Sequence, residues 1–315
     1  MPAIQVEDLH KQFDPPKGPV AVDDVTFAIE EGEIFSLLGP NGAGKTTTIS
    51  MLSCLLRPDS GDAWVGGHSV SKESDRVREL IGVVPQEIAL YEDLSGRENL
   101  LFWGRMYGMG GAELNTRVDE VLELIGLVDR QKDRVDKYSG GMKRRVNIGA
   151  ALLHRPRFLY LDEPTVGIDP QSRRSILDGV KDLNRQGVTV LYTTHYMEEA
   201  QELSDRVGIM DQGKMIALGT QPELVRLVGE STRVDVVLDR EAESLAARWR
   251  EAEGIATVSS SEDGRVSLLA TDANTLMPQL FDDARAADAR ITDISLAEPN
   301  LETVFLHLTG RALRD

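Results

Sequence analysis

The chain has 315 residues, 41% of them hydrophobic, and its 52 acidic and 35 basic side chains leave a formal net charge of −17. That length leads to an expectation of about two domains, each with its own core, and the acidic balance argues against nucleic-acid binding, which needs a basic face. The single cysteine, Cys54, excludes a disulfide framework; it lies in the apolar stretch ISMLSCLL and reads as a small buried hydrophobe.

No apolar run approaches the ~18 residues of a membrane helix, and the opening MPAIQVEDLHKQF has neither the basic start nor the apolar centre of a signal peptide. Membrane association is therefore expected to come through a partner.

Residues 1 to about 228 alternate short β-branched runs with helical patterns, as in an α/β domain with a largely parallel sheet. The strand EIFSLL runs into GPNGAGKT, Gly39 to Thr46, which satisfies G-x-x-x-x-G-K-[ST] and opens the helical TTTISMLSCLL. Backbone N–H groups of such a loop wrap phosphate oxygens, Lys45 reaches the outer phosphates, and the Thr46 hydroxyl ligates Mg²⁺. The glycines let the backbone approach phosphate.

Between Gln86 and Tyr138 the strand signal vanishes, and ENLLFWGRMYG and RVDEVLELIGLV show apolar spacings of three and four. A helical insertion is expected at about residues 87–140. Gln86, in VVPQEI, stands at its start, where it could sense metal and attacking water. At the far end, YSGGMKRR, residues 138–145, backs two glycines against a basic helix-forming stretch without a spaced lysine of its own.

FLYLDEP, Phe158 to Pro164, ends an apolar strand with adjacent acids. Strand alternation would send their side chains in opposite directions. Asp162 can then hold the metal while Glu163 is free to polarise an attacking water. His195 follows the strand GVTVLYTTH; if that strand neighbours the one before the phosphate loop, His195 reaches the same sheet edge and could hydrogen-bond a γ-phosphate.

The last 86 residues contain no lysine, so a boundary is expected near residue 229. Beyond it the order strand, helix, strand, strand, helix, strand suggests a small ferredoxin-like α+β domain, residues 229–315. Its first helix places Ala242, Leu245, Ala246, Trp249 and Ala252 on one face. Asn300 can cap a last helix whose Leu301, Val304, Phe305 and Leu308 form an apolar packing stripe.

The ordered set of phosphate loop, Gln86, YSGGM, FLYLDEP, VGIDP and His195 resembles the nucleotide-binding subunit of an ABC transporter, over essentially all of residues 1–228. The resemblance implies an ABC-type ATPase with ATP and Mg²⁺ as its cofactors. ATP would be held by Gly39, Pro40, Asn41, Gly42, Ala43, Gly44, Lys45, Thr46 and Thr47, with Phe13 stacking on adenine and Val22 nearby. Catalysis would fall to Glu163, His195, Lys45 and Gln86, and the metal to Thr46, Gln86 and Asp162.

In this family SGG belongs to the signature motif, so Ser139, Gly140 and Gly141 would grip the ATP of an opposing subunit from a helix beginning near Met142. Asp169 would lie in the loop that crosses the interface. A homodimer around two ATP molecules follows. Tyr138 and Met142 depart from the commoner leucine and glutamine.

YSGGMKRR and the ending EPNLETVFLHLTGRALRD together resemble the ATPase subunits of ABC-2 type drug-resistance exporters. That implies a separate membrane permease, met through about Glu87 to Asn99, and a cytoplasmic protein peripheral to the membrane. A regulatory or translation-associated ABC ATPase is the alternative; one phosphate loop where two would be expected, and the acidic charge, weigh against a translation factor, and the presence of Glu163 and His195 weighs against a non-hydrolysing regulatory module.

Overall fold

The computed structural model describes residues 2–228, 232–239, 242–252, 254–261, 264–270, 273–297 and 299–310. Two compact units, Met1–Met215 and Ile216–Asp315, divide the chain. The expected boundary residue 229 lies outside the described residues, as does the end of the expected drug-resistance signature, residues 311–315.

The first unit opens with β1 (Ile4–Gln12), β2 (Val20–Ile29), β3 (Ile34–Leu38), α1 (Lys45–Leu52), β4 (Ser60–Val65), β5 (His68–Ser69), α2 (Ser74–Leu80) and β6 (Ile81–Val84). The helical insertion follows as α3 (Gly96–Met106) and α4 (Gly111–Leu124), leading into α5 (Gly140–Leu152). The chain then returns through β7 (Phe158–Asp162), α6 (Pro170–Arg185), β8 (Thr189–Thr194), α7 (Met197–Leu203) and β9 (Arg206–Asp211), and the division between the units falls within β10 (Lys214–Gly219).

Strands β2-β1-β4-β5 form an antiparallel sheet, and β10-β9-β3-β8-β7-β6 a second sheet whose members from β9 to β6 run parallel. The parallel strands IFSLL, FLYLD and TVLYTT are buried along their whole length, as expected for strands covered on both faces. Phe35, Leu37, Phe158, Tyr160 and Leu191 join one core with Ile4, Val6 and Phe27 of the antiparallel sheet. Leu159, Leu161, Val190 and Tyr192 point the other way, onto Ile176, Leu177 and Val180 of α6.

Because β3, β8 and β7 are parallel neighbours, Leu38, Thr194 and Asp162 end on one edge of the sheet. That places the phosphate loop, the paired acids and His195 together, as the strand reading required. The insertion has its own core, in which Leu100, Leu114, Val118 and Val121 meet Val146 and Ala150 of α5. Cys54 is half-buried beside the first core, and burial pushes its thiol up from the ordinary range.

The second unit contains α8 (Gln221–Arg226), β11 (Thr232–Leu238), α9 (Glu243–Arg250), β12 (Ile255–Ser260), β13 (Arg265–Ala270), α10 (Ala273–Ala286), β14 (Ile291–Ala297) and α11 (Leu301–Thr309). From β11 to β14 this is the expected β-α-β-β-α-β order, and the sheet runs β12-β13-β11-β14, antiparallel throughout. Ala242, Leu245, Ala246 and Trp249 are buried in its core, and the Trp249 Nε1–H donates to Asp283 at 3.1 Å.

Asn300 caps α11 by accepting the Thr303 N–H at 3.0 Å. The expected stripe is corrected at one position: Leu308 is 38% exposed, whereas Leu306 is buried with Leu301, Val304 and Phe305. Helix α11 touches both α8 and β12, so its earlier turns are covered on two sides while the last turn runs out to solvent.

Candidate active site

The loop GPNGAG joins β3 to α1, whose first residue is Lys45. Gly44 has φ 103°, and a Cβ there would lie 2.4 Å from the Ala21 carbonyl oxygen; at Gly39 it would lie 2.3 Å from that of Met210. The protein's own backbone thus requires these glycines, in addition to the phosphate approach expected from the sequence. Lys45 is only 4% exposed. Its Nζ donates to the Gly39 and Pro40 carbonyls at 2.6 and 3.0 Å and pairs with Glu163 Oε1 at 3.0 Å.

Asp162 is the last residue of β7, but Glu163 has φ 44°, in the left-handed region. The two carboxylates therefore part through a backbone turn at the strand end and not through simple alternation along it. Asp162 Oδ1 accepts from Thr193 Oγ1 at 2.6 Å and from Thr46 Oγ1 at 3.2 Å. Glu163, expected to be free, is engaged at both oxygens, by Lys45 and by His195 Nδ1 at 3.1 Å. That contact assigns the imidazole proton to Nδ1 and leaves Nε2 for a ligand.

Thr46 and Asp162 bring two hard oxygen donors together, a donor set that suits Mg²⁺. Gln86 is exposed, and among the described residues no hydrogen bond joins its side chain to that pair. Within the loop, Asn41 and Gly42 are exposed, Ala43 is buried and Thr47 is half-buried. Phe13 is 41% exposed just past β1, its N–H donating to the Pro19 carbonyl at 3.1 Å across the DPPKGP insert. Val22 is wholly buried in the core between the sheets, which takes its side chain away from any exposed surface.

At the other end of the insertion, Ser139 caps α5, which begins at Gly140, earlier than the expected Met142. The Met142 N–H donates to Ser139 Oγ at 3.2 Å, and the hydroxyl keeps its own proton to donate elsewhere. Gly141 is buried, and a Cβ there would sit 2.0 Å from Ser172 Oγ and 2.3 Å from Ser172 Cβ. Asp169 caps α6 by accepting the Ser172 N–H at 2.9 Å, a bond that holds its carboxyl below the ordinary range.

Both departures in the signature segment have packing reasons. The Tyr138 ring is buried in the insertion core and its hydroxyl donates to the Arg130 carbonyl at 2.7 Å, while Met142 packs against the same core.

Three residues that sequence reasoning passed over complete the arrangement. Thr193 also accepts the Glu163 N–H at 3.0 Å; its signal is a hydroxyl inside an otherwise apolar strand. Buried Glu199 accepts hydroxyl protons from Thr165 at 2.6 Å and from Tyr192 and Thr194 at 2.9 Å, joining the segment after Glu163 to the end of β8. Arg144 gave no signal, since the three consecutive basic residues Lys143 to Arg145 after a helix start read as a solvated face.

Residues 22–166 match the family model described as ABC transporter. The chain is 46% identical over 313 residues to the linearmycin resistance ATP-binding protein LnrL of Bacillus subtilis, covering 99% of this chain and 100% of the relative. It is 41% identical over 308 residues to the daunorubicin resistance ATP-binding protein DrrA3 of Streptomyces coeruleorubidus, covering 98% and 96%. Among solved structures, a dimeric ATP-binding cassette in a post-hydrolysis state with ADP and Pi aligns with a TM-score of 0.63 at 26% identity, covering 69% of this chain and 98% of that one. Phosphate loop, paired acids and strand-end histidine on one sheet edge agree with these likenesses, and the chain belongs to the ATP-binding proteins of ABC transporters.

Proposed function

We propose that the chain hydrolyses ATP as a head-to-tail homodimer and so drives export through a separate membrane permease, of the ABC-2 type, with drug-like or lipid-like cargo. The observation that carries the reading is the chain of contacts Lys45–Glu163–His195 at the ends of β3, β7 and β8. Arriving ATP offers Lys45 phosphate oxygens in place of Glu163 and the loop carbonyls. Glu163, released from the lysine, takes the proton of the attacking water, a general-base role worth about 10²–10⁴-fold in rate. His195 Nε2, once it too carries a proton, would donate to the γ-phosphate while Nδ1–H stays on Glu163. Mg²⁺, held by Thr46 and Asp162 with Gln86, would neutralise charge on the phosphates.

Ser139, Gly140 and Gly141 would grip the γ-phosphate of the opposing subunit's ATP through backbone N–H groups and the N-terminal dipole of α5. Phe13, exposed at the end of β1, would stack on the adenine. The likeness to a dimeric cassette supports the pairing, and the drug-resistance names of the relatives support the cargo class. No helix among the described residues is long and apolar enough to cross a membrane, in keeping with peripheral attachment at the cytoplasmic face. The segment from Glu87 to Asn99 is the proposed permease contact: it exposes Ile88 and Tyr91, and buried Asn99 pins it by hydrogen bonds to the Tyr91 N–H and carbonyl at 2.8 and 3.0 Å.

The test is Glu163→Gln. ATP affinity is expected to stay within about threefold and phosphate release to fall about 10²-fold or more. Steady-state turnover at the wild-type level would remove Glu163 as the base.

A further inference from the structure

We propose that Arg144 is a positioning residue that ties the signature helix to Gln86 of the same subunit, so that the grip on one ATP sets the geometry of Gln86 at the other. The inference rests on the roles proposed above for Gln86 and Ser139.

Arg144 is 3% exposed, on α5 one turn beyond Gly140. Its Nη1 donates to the Pro85 carbonyl at 2.7 Å and its Nη2 to the Gln86 carbonyl. Its Nε is buried with no hydrogen-bond partner, and none of the ion pairs among the described residues includes it. Burial lowers its pKa from the ordinary arginine value, opposed only weakly by Tyr192 and Asp162, neither of which forms an ion pair with it.

A buried guanidinium without an acid is expensive, and anchoring one loop carbonyl does not call for it. The planar fork does what a single donor cannot, because it holds two acceptors in fixed relation. Here those acceptors belong to the peptide planes on either side of the Gln86 Cα. Holding both planes fixes φ and ψ of Gln86 while its side chain remains exposed.

The same helix carries Ser139 at its N-cap and Gly141 packed against Ser172, beside the Asp169 cap of α6. A shift of the α5 N-terminus on closing over the opposing ATP is carried one helical turn, ~5 Å along the axis, to the guanidinium and from there to both Gln86 peptides. Misplacing a group that orients metal or water by about 1 Å costs on the order of 10²-fold in rate, so small displacements suffice.

The experiment is a double-mutant cycle on the full chain: wild type, Arg144→Gln, Gln86→Ala and the double variant, assayed for ATP hydrolysis with Mg²⁺. Arg144→Gln is expected to lower kcat about tenfold with KM within about twofold, and to change kcat less than about twofold when Gln86 is already alanine. Wild-type kcat in Arg144→Gln overturns the proposal, and so does an equal tenfold loss on both backgrounds, since a purely structural role acts whether or not the Gln86 side chain is present. If Arg144→Gln is insoluble, Arg144→Lys enters the same cycle: it keeps the charge without the fork, and a wild-type kcat from it is equally fatal. Should Gln86→Ala and Ser139→Ala leave kcat unchanged, the proposed site roles fail and the inference with them. Where both lower kcat and Arg144→Gln does not, only the inference fails.

Discussion

Asp162 and Glu163 are held in place by Thr193, whose single hydroxyl donates to Asp162 Oδ1 and accepts the Glu163 N–H. Valine matches its shape without the hydroxyl. Thr193→Val is expected to lower unfolding free energy by about 1–3 kcal/mol, the cost of leaving buried polar groups under-satisfied, and to lower kcat because the Glu163 turn loses a restraint. Urea unfolding midpoints and phosphate release check this; Thr193→Ser, which keeps the hydroxyl, should stay near wild type on both. A valine variant with unchanged midpoint and kcat would show that the left-handed Glu163 turn is fixed by other contacts. The identities of Asp162 and Glu163 were legible from FLYLDEP, whereas their separation was not, because a positive φ in a non-glycine residue has no sequence signature.

Helix α5 is placed by its contact with α6, where Gly141 meets Ser172. Gly141→Ala inserts a methyl into space already occupied by Ser172 Cβ and Oγ. Overpacking of this kind typically costs about 1–3 kcal/mol, and here it also drives the signature end of α5 away from α6. Gly141→Ala is expected to lose stability and ATPase activity together, and Ser172→Gly added to it should recover at least half of the lost unfolding free energy. Thermal melts and activity assays read both, and a double variant no more stable than Gly141→Ala alone would contradict the contact. At this scale much was legible: the apolar spacing of α3 and α4, the α/β alternation and the C-terminal strand–helix order all appear as written. The caps were legible in principle, as Ser95 with Glu98, Ser139 and Asp-Pro at 169–170 stand where helix starts want them. The buried Arg144 was not, since a helix face turns inward only when a neighbouring segment presents acceptors to it.

As a whole molecule the chain carries half of each proposed site: the phosphate-loop edge serves its own ATP, and the exposed Ser139–Gly140 end of α5 serves another. Glu163→Gln, which keeps ATP bound, is therefore expected to sediment as a dimer of its 34.7 kDa chain with Mg-ATP and as a monomer without nucleotide. Adding Ser139→Ala should shift the equilibrium back toward monomer, since a hydroxyl donor to phosphate is lost. A Glu163→Gln protein that stays monomeric at saturating ATP would sink the head-to-tail arrangement. By itself the sequence determined the fold class, the phosphate loop, the acid pair and the strand-end histidine, because hydrophobic periodicity and loop chemistry are local properties. Only the tertiary structure decided that Glu163 bridges Lys45 and His195, that Val22 is wholly buried in the core, and that Arg144 holds both peptides of Gln86. Each of these depends on residues far apart in the chain, which meet only when strands pair and helices pack against them.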